Sequence, residues 1–248
     1  GVLSIAQVVP MALSGLTTTV SALFFPEQTR YFAQNNKEQM LKSVKMGMRI
    51  SGFFTNIVFV VLIVVGEDFI RIWQPTQNAR LVYHLMILTM SGFFLFGVAV
   101  TLQNIPTIVN RLKRYSIAWL ICGVVSLLLT LILIKVTNWG VYVIAAVPQL
   151  VCIVANLTVV PICASNYLHV ARRTFYPVYA QYVVATLVSC AVSFMLRDMF
   201  HLAAGSWLHL FILCVLFGSV TAVINLFMLL GSHERVVLLQ MMKQKLHL

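Results

Sequence analysis

The chain has 248 residues, of which 60% are hydrophobic and only 9% charged, with a mean hydropathy of +0.94. A soluble domain carries about 25% charged residues, so this composition belongs in a bilayer. The formal net charge of +11 would suggest nucleic acid in a soluble protein, but here the charges sit in short connectors, where membrane topology accounts for them and no nucleic-acid partner is expected.

Seven apolar runs follow one another, at approximately 1–25, 50–66, 81–103, 116–134, 140–163, 177–196 and 207–230. They are too long and too continuous for barrel strands of about ten alternating residues, and each is long enough to cross the hydrocarbon core as a helix. The expected fold is an all-α integral membrane protein, a bundle of about seven transmembrane helices forming a single domain over residues 1–248. The sequence begins at Gly1 inside an apolar run, with no Met and no charged leader region. That start reads as a fragment of a longer protein rather than a signal peptide.

The first run carries a polar stripe. Ser4, Gln7, Ser14, Thr18 and Ser21 recur at helical spacing, interrupted by Met11, and Pro10 lies mid-run, where it should bend the helix. Two readings of the stripe stand side by side. Small polar residues at this spacing make tight helix–helix contacts; they also suit the wall of an aqueous path. After Pro26 comes a basic connector, and within it 37–48 reads as an amphipathic helix lying in the headgroup plane, with Met40, Leu41, Val44 and Met48 on one face and Lys37, Lys42 and Lys45 largely off it. A plain solvated linker is the competing reading.

Asn56 lies in the middle of the second run, which closes at Gly66-Glu67-Asp68 before the segment 69–73. The third carries His84 near one end, read as an interfacial surface residue. The fourth is Leu-rich and almost featureless, so it should face lipid. Gln149 and Asn156 lie seven apart in the fifth, hence on one face, between Pro148 and Pro161. A buried amide in a bilayer must be paired or wet. The sixth and seventh runs are mostly apolar, with Asn225 the chief exception, and the tail from 232 is again amphipathic.

Orientation follows from Lys and Arg. Of the 17, only Arg71, Arg80, Lys135 and Arg197 fall in connectors on one side; the rest fall on the other, which is therefore expected to be cytoplasmic, together with the C-terminus. All six acidic residues lie at or beyond the edges of the runs. With no carboxylate pair in a span, no GxSxG, no HExxH and no P-loop, neither catalysis nor nucleotide-driven transport is expected. The five cysteines form no metal-ligand spacing, so no metal or cofactor is expected either.

The order of features resembles the C-terminal half of the polysaccharide flippases, the Wzx-type (O-antigen) members of the MOP exporter superfamily. The polar first helix ends at Pro26 and continues through Arg30-Tyr31-Phe32-Ala33 into Asn36-Lys37-Glu38-Gln39-Met40. Phe69-Ile70-Arg71-Ile72-Trp73 is similar to the segment that closes the following helix in that family. Arg111-Leu112-Lys113-Arg114-Tyr115 resembles its short basic loop, and Trp139-Gly140-Val141-Tyr142 its glycine turn. The resemblance implies that the seven spans correspond to helices 8–14 of the family fold, a partial lobe plus two extra helices. It implies transport of an undecaprenyl-pyrophosphate-linked oligosaccharide from the inner to the outer leaflet of a bacterial cytoplasmic membrane. The implied partners are membrane lipids, the lipid-linked oligosaccharide and other polysaccharide-assembly membrane proteins. On this template the candidates for the substrate path are Gln7, Ser14, Thr18, Asn56, Gln149 and Asn156. Arg30 and Arg49 are candidates for a cationic cytoplasmic mouth. The family's cavity is cationic, whereas no Arg or Lys lies deep in a span here, so that charge would come from the other half. A MATE-like multidrug exporter and a seven-helix receptor are the alternatives.

Overall fold

A computed structural model describes residues 2–231 together with 234 and 235. The described residues form ten α-helices and one 3-10 turn, with no strand among them. In chain order these are α1 (Val2–Ala22), α2 (Phe25–Ala33), α3 (Lys37–Trp73), α4 (Ala79–Gln103), α5 (Ile105–Ile108), α6 (Leu112–Val136), α7 (Val141–Leu157), α8 (Val159–Leu168), α9 (Tyr176–Met199) and α10 (Trp207–Met228), the turn being Arg172–Thr174. Seven segments are long and apolar enough to cross a membrane: α1 with α2, α3, α4 with α5, α6, α7 with α8, the turn with α9, and α10. The expected all-α membrane bundle is the fold observed.

The α3 and α4 helices are the central pair and the most buried. On one side α1 packs against both of them; α7 lies on α4, and α9 and α10 lie on α3. Lipid tails are as apolar as leucine, so close backbone approach must hold such a bundle together. Gly97 of α4 shows it: a Cβ there would stand 2.6 Å from Cβ of Thr55 in α3. Outermost is α6, which packs on α7 and has no buried residue, as its featureless leucine run led one to expect.

The connector 37–48 departs from expectation. It does not lie in the headgroup plane but forms the first turns of the 37-residue α3. The Asn36 side chain caps that helix by accepting from the Gln39 N–H at 3.1 Å, and no proline follows before Trp73. Met40, Val44 and Met48 are buried in a core with Phe24, Phe53 and Leu102, so the apolar face that lipid headgroups would have covered is covered by protein. At 1.5 Å per residue α3 is about 55 Å long against a hydrocarbon core of about 30 Å, so it extends well past the membrane.

Two prolines are matched by hydroxyl groups on neighbouring helices. Pro10 has no N–H for the Ala6 carbonyl, and the Thr89 hydroxyl of α4 stands 3.4 Å from that oxygen, while also within reach of Leu85 O and Met86 O. Pro161 likewise leaves Leu157 O without its partner, and the fifth span breaks into α7 and α8 at Thr158. Tyr176 donates to Leu157 O at 2.9 Å and Tyr179 to Asn156 O at 3.0 Å, so α9 satisfies the carbonyls opened by the break.

The alternation of helices gathers the connectors 23–36, 104–111 and 169–175 at one end of the bundle, and 74–78, 137–140 and 200–206 at the other. At the second end, Asp68 is buried and accepts from Arg197 at 2.9 Å and from the Ala204 N–H at 3.4 Å; Arg197 also donates to Val64 O. This cluster ties the ends of α3 and α9 to the chain entering α10. Of the amphipathic tail expected from 232 onward, all but Glu234 and Arg235 lies outside the described residues.

Candidate functional site

The rotation of α1 decides which of its polar residues meet the bundle. Ala6, Pro10, Leu13, Thr17 and Ser21 are its buried residues, a seam at spacings of four, three, four and four. Thr17 and Thr55 share a hydrogen bond of 3.0 Å between hydroxyls, and Thr17 also reaches Leu13 O. Ser21 receives a bond from Asn104 Nδ2 at 3.1 Å and lies 3.5 Å from the Thr101 hydroxyl. The packing seam is therefore centred on Thr17, and of the stripe read from the sequence only Ser21 belongs to it.

The remaining four turn toward or onto the outer flank of α1. Ser4 and Thr18 are exposed, and Gln7 and Ser14 are half-buried at the edge of the seam. Beside them on the exposed side are Met11, Ala12, Gly15 and Thr19, while Leu16 and Leu23 lie further round. Thr18 directs its proton back to Ser14 O and Gly15 O, and Thr19 to Gly15 O, which leaves acceptor lone pairs facing outward. Gln7 and Ser14 make no side-chain hydrogen bond among the described residues, so their full capacity faces the flank.

Asn56, Gln149 and Asn156 do not join that flank. Asn56 is fully buried between α3 and α10, donating to Asn225 Oδ1 at 2.8 Å, and Asn225 donates to Phe53 O at 3.5 Å. Asn156, also fully buried, accepts from Gln103 Nε2 at 3.0 Å and donates to Cys152 Sγ at 3.4 Å. Gln149 is half-buried against α4, where its Oε1 fills the place that a Cβ on Gly92 would take. These amides connect helices within the bundle, and the structure groups them apart from Gln7, Ser14 and Thr18.

At the end where the basic connectors meet, Arg30 is exposed on α2 with its guanidinium 5.1 Å from the centre of the Tyr31 ring. Arg49 is partly buried and paired with Glu234 at 2.6 Å. Glu234 in turn accepts from the Gly231 N–H at 2.8 Å, and Arg235 donates to Leu226 O and Leu230 O, so the residues after α10 cap it and anchor it to α3. Among the described residues no three His, Cys, Asp or Glu side chains converge as a metal site.

Sequence reasoning passed over several polar contacts that the fold uses. Thr17 lies off the polar stripe of the sequence, yet its hydroxyl meets Thr55 at the centre of the seam. In α9, Tyr182, Thr186, Ser189 and Ser193 recur at four, three and four and are all buried, a second polar stripe inside a run read as mostly apolar. The spacing was the available signal there, the same one that marked α1. No protein-family model matches the sequence, and comparison with curated proteins and with solved structures returns no match.

Proposed function

We propose that this chain is the C-terminal half of a bacterial polysaccharide flippase, which moves an undecaprenyl-pyrophosphate-linked oligosaccharide from the inner to the outer leaflet of the cytoplasmic membrane. The observation that carries the reading is the rotation of α1. Its polar flank points away from the other helices of the chain, although Thr17 and Ser21 show that polar residues on the same helix find partners inside. On that flank the Gln7 amide and the Ser14 hydroxyl have no partner among the described residues and Thr18 keeps only acceptor capacity, an arrangement that in a bilayer calls for water, a glycan or another polar helix. Gln7, Ser14 and Thr18 would bond the sugar or its hydration water. None carries charge at neutral pH, so their part is hydrogen bonding.

Arg30, exposed at the basic end, would draw the anionic pyrophosphate to the cytoplasmic mouth. Arg49 is held by Glu234 and would contribute only if that pair opened. A cation-coupled exporter would call for a buried acid free to exchange an ion; Asp68, the buried acid among the described residues, is held by Arg197. The full-length protein, expressed in a flippase-deficient strain, is expected to restore surface polysaccharide, and Gln7→Leu to lower export at unchanged expression. Failure of the wild-type protein to restore export with any tested glycan pathway would reject the reading.

A further inference from the structure

The basic end of the bundle holds a feature that transport through the α1 flank does not use. Two adjoining cavities, of about 270 and 440 Å³, lie between the α2–α3 elbow, the 109–114 segment and the end of α8, and they share Arg111 and Tyr167. Lys37, Arg111, Lys113, Arg114 and His169 line them, and no acidic residue does. The nearest acid in sequence is Glu38, exposed beside Lys37. Among the described residues none of these Lys or Arg side chains is paired with a carboxylate. Four fixed positive charges around one cleft, unneutralised by the protein, call for an anionic ligand.

The walls say what the rest of that ligand is. Tyr31, Phe32, Leu41 and Val109 give the inner cavity an apolar and aromatic side of the kind that sits at headgroup level. The outer cavity opens at the first turn of α6, and α6 then runs away from it with no buried residue, exposing Leu112, Ile117, Leu120 and Ile121. The first-turn residues Leu112, Lys113 and Arg114 of α6 line this cavity, and that turn has no side-chain cap. A phosphate set among these cations would have bare apolar helix surface directly below it for acyl chains.

We propose that this cleft binds the headgroup of an anionic phospholipid, whose chains lie along α6. The site requires only that the apolar helices sit in a bilayer, and it stands whether or not the chain is half of a flippase. Basic pockets at the ends of transmembrane helices recognise such headgroups, and each Lys or Arg near the phosphate strengthens binding roughly fivefold.

The test uses the full chain purified in a neutral detergent. Thermal unfolding is followed while dioctanoyl phosphatidylglycerol, dioctanoyl phosphatidylcholine or inorganic phosphate is titrated in. Phosphatidylglycerol is expected to raise Tm saturably, and the other two are not. The Arg111→Gln/Lys113→Gln variant should need a roughly tenfold or greater concentration for half the effect, whereas Lys135→Gln, at the far end of α6, should match wild type. If the double variant does not fold, Arg114→Gln alone should weaken the response roughly fivefold. Equal shifts with phosphatidylcholine, a matching shift with inorganic phosphate alone, or an undiminished response in the cleft variants would each overturn the proposal. The first would mean apolar binding only, the second a free-anion site and the third diffuse charge.

Discussion

The Thr17 hydroxyl of α1 lies 3.0 Å from the Thr55 hydroxyl of α3, and both are buried. Each also lies within reach of a carbonyl one turn back in its own helix, Leu13 O and Ser51 O, at 2.8 Å. This contact lies on the centre line of the seam by which α1 packs on the central pair. With Thr17 turned in, successive 100° steps leave Ser14 at the margin and Thr18 outside.

Replacing Thr17 by Val keeps the shape and removes the hydroxyl. The expected loss is about 1 kcal/mol of stability, the usual scale for an interhelical side-chain bond in a membrane protein. Thr18→Val, one residue away but outside the seam, should leave stability unchanged within roughly 0.5 kcal/mol. Reversible unfolding in mixed micelles compares the two. Equal losses would mean that α1 is rotated otherwise.

Asn56 and Asn225 join α3 to α10 through a single amide pair. A double-mutant cycle with Asn56→Ala and Asn225→Ala should give a coupling of roughly 0.5–1.5 kcal/mol. A coupling near zero would mean that the amides act separately, for example with water, as residues lining a path would.

Asp68 and Arg197 form the buried ion pair at the opposite end from the basic connectors. Removing Asp68 strands the partly buried Arg197 guanidinium, so Asp68→Ala should cost about 3 kcal/mol; Arg197→Ala should cost less, because Arg71 stands 3.8 Å from the other Asp68 oxygen. The double variant should be less damaged than the two single losses together. Strict additivity in thermal unfolding would contradict the pairing.

The break at Thr158 yields a sharper test. Tyr176→Phe removes the donor to Leu157 O, and that carbonyl lacks an N–H because residue 161 is proline. Its cost should be about 1 kcal/mol in wild type and smaller with Pro161→Ala, which restores the missing donor. The same cost in both backgrounds would show that the tyrosine hydroxyl acts elsewhere.

The spans were legible because hydropathy alone decides which segments enter a bilayer, and the exposure of α6 because its run over 116–134 offers neighbours no charge or amide to bond. The extension of α3 was not. Met40, Val44 and Met48 against lysines make the same pattern whether lipid or protein covers the apolar face, and only the presence of Phe24 and Leu102 distinguishes them. The polar stripes of α1 and α9 show the same limit. Both have small polar residues at spacings of three and four, yet Ser189 and Ser193 are buried while Ser4 and Thr18 are exposed. Spacing tells which residues share a face; which way the face turns depends on partners such as Thr55, distant in sequence. The amides Asn56 and Asn156 were found as polar positions, but the roles the fold gives them come from Asn225 and Gln103 on other helices.

Cysteine accessibility along α1 tests the central claim most directly. In a cysteine-free background of the full-length protein in native membranes, single cysteines at positions 13, 14, 16, 17 and 18 are probed with a water-soluble thiol reagent. Positions 14 and 18 are expected to react, because Ser14 and Thr18 lie on the polar flank proposed to face a water-filled path. Positions 13 and 17 should not react, being buried against α3 and α4, nor should 16, on the apolar flank. Protection of 14 and 18 in every condition, with Gln7→Leu exporting normally, would contradict the account and make the stripe a dry seam against another helix.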